Sequence, residues 1–472
     1  MKLKYYLVFT AFALSSCGEG FFEQYPSNNI TEGNFYKTDD DFNQGVVACY
    51  AKLKTQMSFH LTEIGYRGDE NVLESMAVST QNRYDIDHFA ETANNGILND
   101  IWNAWYNGIY RCNDVLDHMT GAKIANYDKY RGECLFLRSW WYFNLYRVFG
   151  VVPITRTVVT PAAAKLIPRC TEEEMYTLLT EDLAEAARLL PPTPGPEKAR
   201  VANIAAYTLL AKVYLTFGKP AEAKTALEEA MKNTSYGLES TTKKVFDVGN
   251  KMNREIIFAL YYNKTNDNGH GYWYSANTDV LADINNPTPT FKAIYDSEKD
   301  NRLPLISSYT KIKDNLFAMT KWYDTYDATY TTQVGNDFPH LRYADVVLMY
   351  AEALAESGSS LGDALVWLNK TRTRAGLDAL RTEDIPSKGA FIEALADAAV
   401  KHGIARADAY RMVSQMVVGT GKLQLATGQH PGAMKDAVCS PGGTTIVGVA
   451  ELERKGFRGA VIDAVDAIQN KK

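Results

Sequence analysis

Apolar residues recur at three- and four-residue steps along most of the chain, the period of a helix that buries one face. From Phe42 to Met57 that face is Phe42, Val46, Cys49, Tyr50 and Leu53. Thr38 ahead of Asp39, Asp40 and Asp41 supplies the start, because a hydroxyl can cap free amides and carboxylates favour the positive end of the helix dipole. Further blocks run from Ile101 to about Met119 and from Tyr127 to Phe149, the latter stopped by Gly150 and Pro153. Leu135, Leu137, Trp140, Trp141, Phe143, Leu145, Tyr146 and Phe149 make this third helix so apolar that it should lie between others. Thr171 with Glu174 forms a capping-box pattern for a helix ending at Leu190, and the prolines from Pro191 to Pro196 close it.

After Pro196, Ala205 to Tyr214 and Ala221 to Ala230 alternate small and large residues at helical spacing on either side of Gly218, resembling a tetratricopeptide hairpin. A related pair runs from Ala344 to Arg374, turning at Gly358. The pattern therefore predicts a mainly α fold, a tetratricopeptide-like helical scaffold with a long irregular loop insertion. The insertion, about 236–340, is rich in Asn, Thr, Tyr and Gly; Ile256 to Leu260 is its clearest candidate strand. Loops on a rigid scaffold commonly carry binding residues. Flat aromatic faces with polar neighbours can hold a ligand, which makes Tyr272, Trp273, Tyr274 and Trp322 the binding candidates of the insertion, for a glycan if the resemblance described below holds.

At the N-terminus, Lys2 and Lys4 precede an apolar run from Tyr5 to Leu14, too short to span a bilayer. It leads into Leu14-Ser15-Ser16-Cys17, which resembles a lipobox, so residues 1–16 read as a lipoprotein signal peptide and Cys17 as the acylated residue. Several acyl chains together make a stable anchor where one is marginal. The 472 residues are 46% hydrophobic and carry a net charge of −6. That is ample for a large core, and with no basic stripe it argues against a nucleic-acid partner. The later cysteines form no C-x-x-C pair and the histidines no H-E-x-x-H, so the sequence encodes no local metal site.

Several short pieces then occur in a telling order. They are Phe35-Tyr36-Lys37-Thr38-Asp39-Asp40, Arg111-Cys112-Asn113-Asp114-Val115, Leu137-Arg138-Ser139-Trp140-Trp141-Tyr142-Phe143, Asn253-Arg254-Glu255-Ile256-Ile257-Phe258, Lys299-Asp300-Asn301-Arg302, Arg342-Tyr343-Ala344-Asp345 and Leu368-Asn369-Lys370-Thr371-Arg372-Thr373-Arg374-Ala375-Gly376. Together they resemble the SusD/RagB family over residues 17–395. The resemblance implies an outer-membrane, lipid-anchored, cell-surface protein that binds oligosaccharides or other nutrients for a TonB-dependent transporter. Arg138 and Arg342 themselves are expected to tie scaffold carboxylates rather than touch ligand.

Beyond about residue 390 the family's usual ending is missing. His430-Pro431-Gly432-Ala433-Met434-Lys435-Asp436-Ala437-Val438-Cys439-Ser440-Pro441-Gly442-Gly443-Thr444-Thr445 instead resembles the dimerisation domain of pyrroline-5-carboxylate reductase. Residues 396–472 would then be a small all-α dimerisation-type domain, with a homodimer as the implied partner. The breaker before Thr444 and Thr445 would present amides and hydroxyls at a helix start, a setting that suits a carboxylate. By resemblance Ser440, Gly442, Gly443, Thr444 and Thr445 form the pyrroline-carboxylate loop. The alternative function is thus an NADPH-dependent reductase of proline biosynthesis. No glycine-rich turn after a buried strand supplies a dinucleotide site, so no cofactor is expected of this chain. The two resemblances meet at Ser387 to Leu395, as a fusion through a short shared stretch would leave, in nature or in sequence assembly.

Overall fold

The computed structural model describes residues 35–68, 71–72, 81–262, 275–277, 286–307, 309–313, 316–322, 335–382, 396, 399–401, 403–439, 443, 446–447, 449–450, 454 and 456. Its contacts divide the chain into two compact units at Ala206 and Tyr207, with Leu260–Tyr262 joining the first. The sequence pattern puts its division near residue 395; the contacts divide the helical scaffold itself.

The first unit holds α1 (Asp39–Ile64), α2 (Gln81–Asp87), α3 (Gly96–His118), α4 (Tyr127–Phe149) and α5 (Glu172–Leu189). Each start has a local cause. The Thr38 hydroxyl accepts from Asp41 N at 3.2 Å while the Asp41 carboxylate accepts from Thr38 N at 2.7 Å. Asn95 accepts from Ile97 N and Leu98 N at the head of α3, and Thr171 with Glu174 closes the expected capping box of α5. Helices α1, α3 and α4 pack on one another and α5 packs on α4. Accordingly α4 is buried on almost every side from Tyr130 to Leu145, and the Trp105 and Trp141 rings sit 6.4 Å apart in this core. Each such large apolar side chain contributes roughly 1.5–3 kcal/mol on leaving water. Gly108 permits that approach, because a Cβ there would collide with the Trp141 indole.

In α6 (Asn203–Thr216) and α7 (Pro220–Met231) the expected first hairpin appears, turning through Gly218 at φ +67°. The second unit then contains β1 (Ile256–Leu260) up to Ala259, β2 (Ser275–Asn277), β3 (Tyr309–Lys313), β4 (Leu316–Met319) and β5 (Phe338–Arg342). Strand β1 pairs with β5, and β2, β4 and β3 form an antiparallel sheet in that order. Of these strands only β1 is expected from the sequence, because its five residues form an unbroken apolar run, whereas β3 and β5, of the same length, mix apolar with basic residues and β2 and β4 are shorter. Helices α8 (Tyr343–Glu356) and α9 (Leu361–Arg374) make the second hairpin, turning at Gly358 with φ +85°, and α8 also packs on α7.

Toward the C-terminus come α10 (Arg406–Thr427), ended by Gly428 at φ +63°, and α11 (Pro431–Val438). Pro431 takes the first turn of α11, where its missing N–H costs nothing, and His430 Nδ1 accepts from Gly432 N at 3.1 Å. Ala396, Ala409 and Val413 form a small buried cluster here. No helix among the described residues is long and apolar enough to cross a membrane.

Candidate functional site

Arg138 and Arg342 are scaffold ties, as their place in the sequence implied. Arg138, only 4% exposed, donates Nε to Asp182 Oδ2 at 2.8 Å and Nη2 to Asp182 Oδ1 at 2.9 Å. Its Nη1 donates to Asn113 Oδ1 and to the Arg156 carbonyl, both at 2.9 Å. Asn113 in turn donates to the Thr155 and Thr157 carbonyls at 3.1 Å, so the chain leaving α4 is pinned to α3 and α5. A cavity of about 510 Å³ opens above this pair, lined by Arg131, Arg156, Asp117, Glu181 and Glu185 among others. Arg131 pairs with Glu185 and Arg156 with Glu181, each at 2.8 Å. With its three arginines matched by four carboxylates, this cavity has no spare cation for an anionic ligand.

In the second unit Glu255 is fully buried. It accepts from Arg374 Nη1 at 2.5 Å, Glu239 N at 2.7 Å and Arg342 Nη1 at 3.3 Å. Three donors on one buried carboxylate lock β1 to the starts and ends of α8 and α9, a structural role rather than a ligand site.

Of the aromatic glycan candidates, Tyr272, Trp273 and Tyr274 lie outside the described residues. Trp322 is described, and it corrects the expectation of an open platform: it is 5% exposed, with its ring edge-on to Phe246 at 5.2 Å and the Lys321 ammonium 4.9 Å from its centroid. The indole is therefore engaged by the protein's own packing. An aromatic the sequence pattern missed is Phe89, just beyond α2. It is 69% exposed and holds φ at +53°, a region that bulky residues rarely occupy. Such strain collects at functional positions, and nothing in a sequence shows a backbone angle. One turn earlier, Tyr84 stacks on His88 with centroids 3.8 Å apart.

Cys17 lies outside the described residues, as do Ser440, Gly442, Thr444 and Thr445. Gly443 is described: its carbonyl accepts from Val447 N at 3.5 Å, as a helix beginning just after the breaker requires. On α10, Met412, Met416 and Leu423 are each more than half exposed and fall on one stripe of the helix.

Comparison with known proteins agrees with both halves of this architecture. Residues 26–215 match a family model described as "Starch-binding associating with outer membrane", residues 301–402 match the SusD family model, and residues 389–472 match that for pyrroline-5-carboxylate reductase dimerisation. Pyrroline-5-carboxylate reductase of Escherichia coli is 59% identical over 81 residues, 17% of this chain. The chain spans only 30% of that enzyme's length. SusD-like protein P2 of Formosa agariphila is 25% identical over 419 residues, covering 79% of this chain and 82% of the relative. Surface glycan-binding protein A of Bacteroides thetaiotaomicron, solved in complex with laminarihexaose, superposes with a TM-score of 0.61 at 20% identity, covering 75% of this chain and 86% of that one. The chain thus joins a region that matches the SusD family, with the SusD fold, to a C-terminal segment of the pyrroline-5-carboxylate reductase dimerisation type.

Proposed function

We propose that this protein is a lipid-anchored outer-membrane receptor, tethered through Cys17, that binds an oligosaccharide at the cell surface and passes it to a TonB-dependent transporter. The observation that carries the reading is the fold shared over three quarters of the chain with a protein solved in complex with laminarihexaose. Trp273, flanked by Tyr272 and Tyr274, is the proposed sugar platform, and the exposed Phe89 ring is a second. Laminarihexaose titrated into the protein, read by calorimetry, tests this against an unrelated hexasaccharide. Trp273→Ala is expected to weaken binding by about 1–3 kcal/mol, the range for losing a buried aromatic contact. Binding that is absent in the wild type sinks the glycan reading. Unchanged affinity in both Trp273→Ala and Phe89→Ala moves the site elsewhere.

The anchor has its own test. Cys17→Ala removes the thiol that the lipobox-like stretch presents for acylation, so the protein should shift from the membrane to the soluble fraction. A mutant that still fractionates with membranes refutes the assignment.

The C-terminal segment is proposed to pair with a second copy, a reading favoured by the exposed Met412, Met416 and Leu423 stripe. Contiguous apolar surface seeks cover, and two-fold pairing is the commonest way to close it. Met416→Asp is expected to shift light-scattering mass from dimer to monomer. A wild-type chain that is monomeric at micromolar concentration excludes the pairing. Reductase activity is not proposed, because the matched segment is a small part of the enzymes it resembles.

A further inference from the structure

The cavity above the Arg138–Asp182 pair has a charge that its own walls do not balance. Its volume of about 510 Å³ falls within the roughly 300–1,000 Å³ range of small-molecule sites. Helices α3, α4 and α5 and the chain at Arg156 line it. Each of its arginines holds a carboxylate of its own: Arg138 pairs with Asp182, Arg131 with Glu185 and Arg156 with Glu181. Asp117 is the fourth carboxylate of the lining. Among the described residues it enters no ion pair, and its side chain accepts one hydrogen bond, from Val158 N to Oδ2 at 2.8 Å. The cavity therefore carries one more negative charge than its lining neutralises.

We infer that this cavity binds a small hydroxylated organic cation, an amino sugar in its ammonium form, with the ammonium on Asp117. A carboxylate in a partly enclosed cavity is screened less than one on the open surface, so a cation gains more by meeting it there. A hard metal ion needs several oxygen ligands at once, and no three His, Cys, Asp or Glu side chains among the described residues are grouped to hold one. A bare amine matches the charge but leaves most of the volume unfilled. The rest of the lining suits hydroxyl groups. Thr120 both donates and accepts, the carboxylates accept, and a paired guanidinium still has N–H groups to offer. Arg131 gives Nε and Nη2 to Glu185, and among the described residues no hydrogen bond uses its Nη1. The buried Leu116 and Leu135 add apolar surface for the C–H groups of a sugar ring. This site stands apart from the aromatic platforms of the glycan reading and does not rest on them.

Glucosamine, glucose and n-butylammonium are each titrated into the full chain at mildly acidic pH and low salt, with binding read by saturation-transfer NMR and calorimetry. Glucosamine should bind at least about tenfold more tightly than glucose, the size of one hydrogen bond to a charged group. Asp117→Asn keeps an oxygen for Val158 N but removes the charge, so it should weaken glucosamine by a similar factor and leave glucose unchanged. Arg156→Gln frees the Glu181 carboxylate and should strengthen glucosamine binding instead. Opposite signs in the two variants are the signature of charge. A loss in Arg156→Gln equal to that in Asp117→Asn would reflect a damaged fold and overturns the inference. So does a wild-type chain that ignores glucosamine or takes glucose equally well, or an Asp117→Asn variant with unchanged affinity. Butylammonium bound as tightly as glucosamine would make the cavity a socket for a partner's lysine and overturn the amino sugar. None of these outcomes turns on whether laminarihexaose binds.

Discussion

Glu255→Ala is expected to lower the unfolding free energy by about 3–5 kcal/mol, the usual loss when one partner of a buried ion pair is removed. The carboxylate is fully buried and answers two guanidiniums and a backbone amide. Without it Arg374, whose side chain is 10% exposed, is left as a charge with little water to replace its partner. The tie also has no local substitute, since Arg342 and Arg374 lie 87 and 119 residues along the chain from Glu255. Urea unfolding followed by tryptophan fluorescence reads the change. Glu255→Gln, which keeps the shape and some of the hydrogen bonds, should lose less. An alanine variant within about 1 kcal/mol of wild type would show that the network is solvated and contributes little.

Stability should also fall as pH rises from about 5 to 8, and Glu352→Gln should remove much of that fall. Glu352 sits on α8 at 7% exposure, and its Oε1 has no hydrogen-bond partner among the described residues. Burial, with repulsion from Glu356, pushes its pKa from the ordinary 4.5 up to about 8, against the opposing attraction of Lys212. Between those values the folded protein holds a proton that the unfolded chain has released. Raising the pH across that window therefore favours unfolding, and the contribution is fully present only below the unfolded pKa. A tenfold difference in proton affinity between the folded and unfolded chains is worth about 1.4 kcal/mol, and partial solvent screening brings the expected total to about 2–4 kcal/mol. Glu133, pushed up to about 7 chiefly by burial, slopes in the same direction. The difference between wild type and Glu352→Gln isolates the one residue. Parallel stability curves for the two proteins from pH 5 to 8.5 would refute the assignment.

Both effects reside in tertiary surroundings that periodicity cannot reveal. The helix from Tyr127 to Phe149 is bounded in the structure as its apolar pattern bounds it, because the stop at Gly150 acts within one turn. The same locality makes Thr171 with Glu174 and the turns at Gly218 and Gly358 readable. The helix carrying Phe42 begins where Thr38 caps it, as its sequence implies, yet it continues to Ile64, beyond the periodic stretch ending at Met57. The sheet of β2, β3 and β4 is invisible in the pattern, since its strands have three to five residues and lack the unbroken apolar run over the full five that marks Ile256 to Leu260. Trp322 illustrates the opposite limit: an aromatic in a polar insertion looks available for sugar, and only its contact with Phe246 shows that it is taken.

Local pattern is enough for the helical scaffold with its caps and turns, and for the presence of two unlike segments, because each is written in residues close to one another along the chain. Packing at a distance settles that Arg138 answers Asp182, that Glu255 gathers Arg342 and Arg374, and that Phe89 stands exposed at a positive φ. Those outcomes join positions tens of residues apart. They are set by which helix faces pack together, a choice made by the summed burial of the whole core rather than by any local pattern.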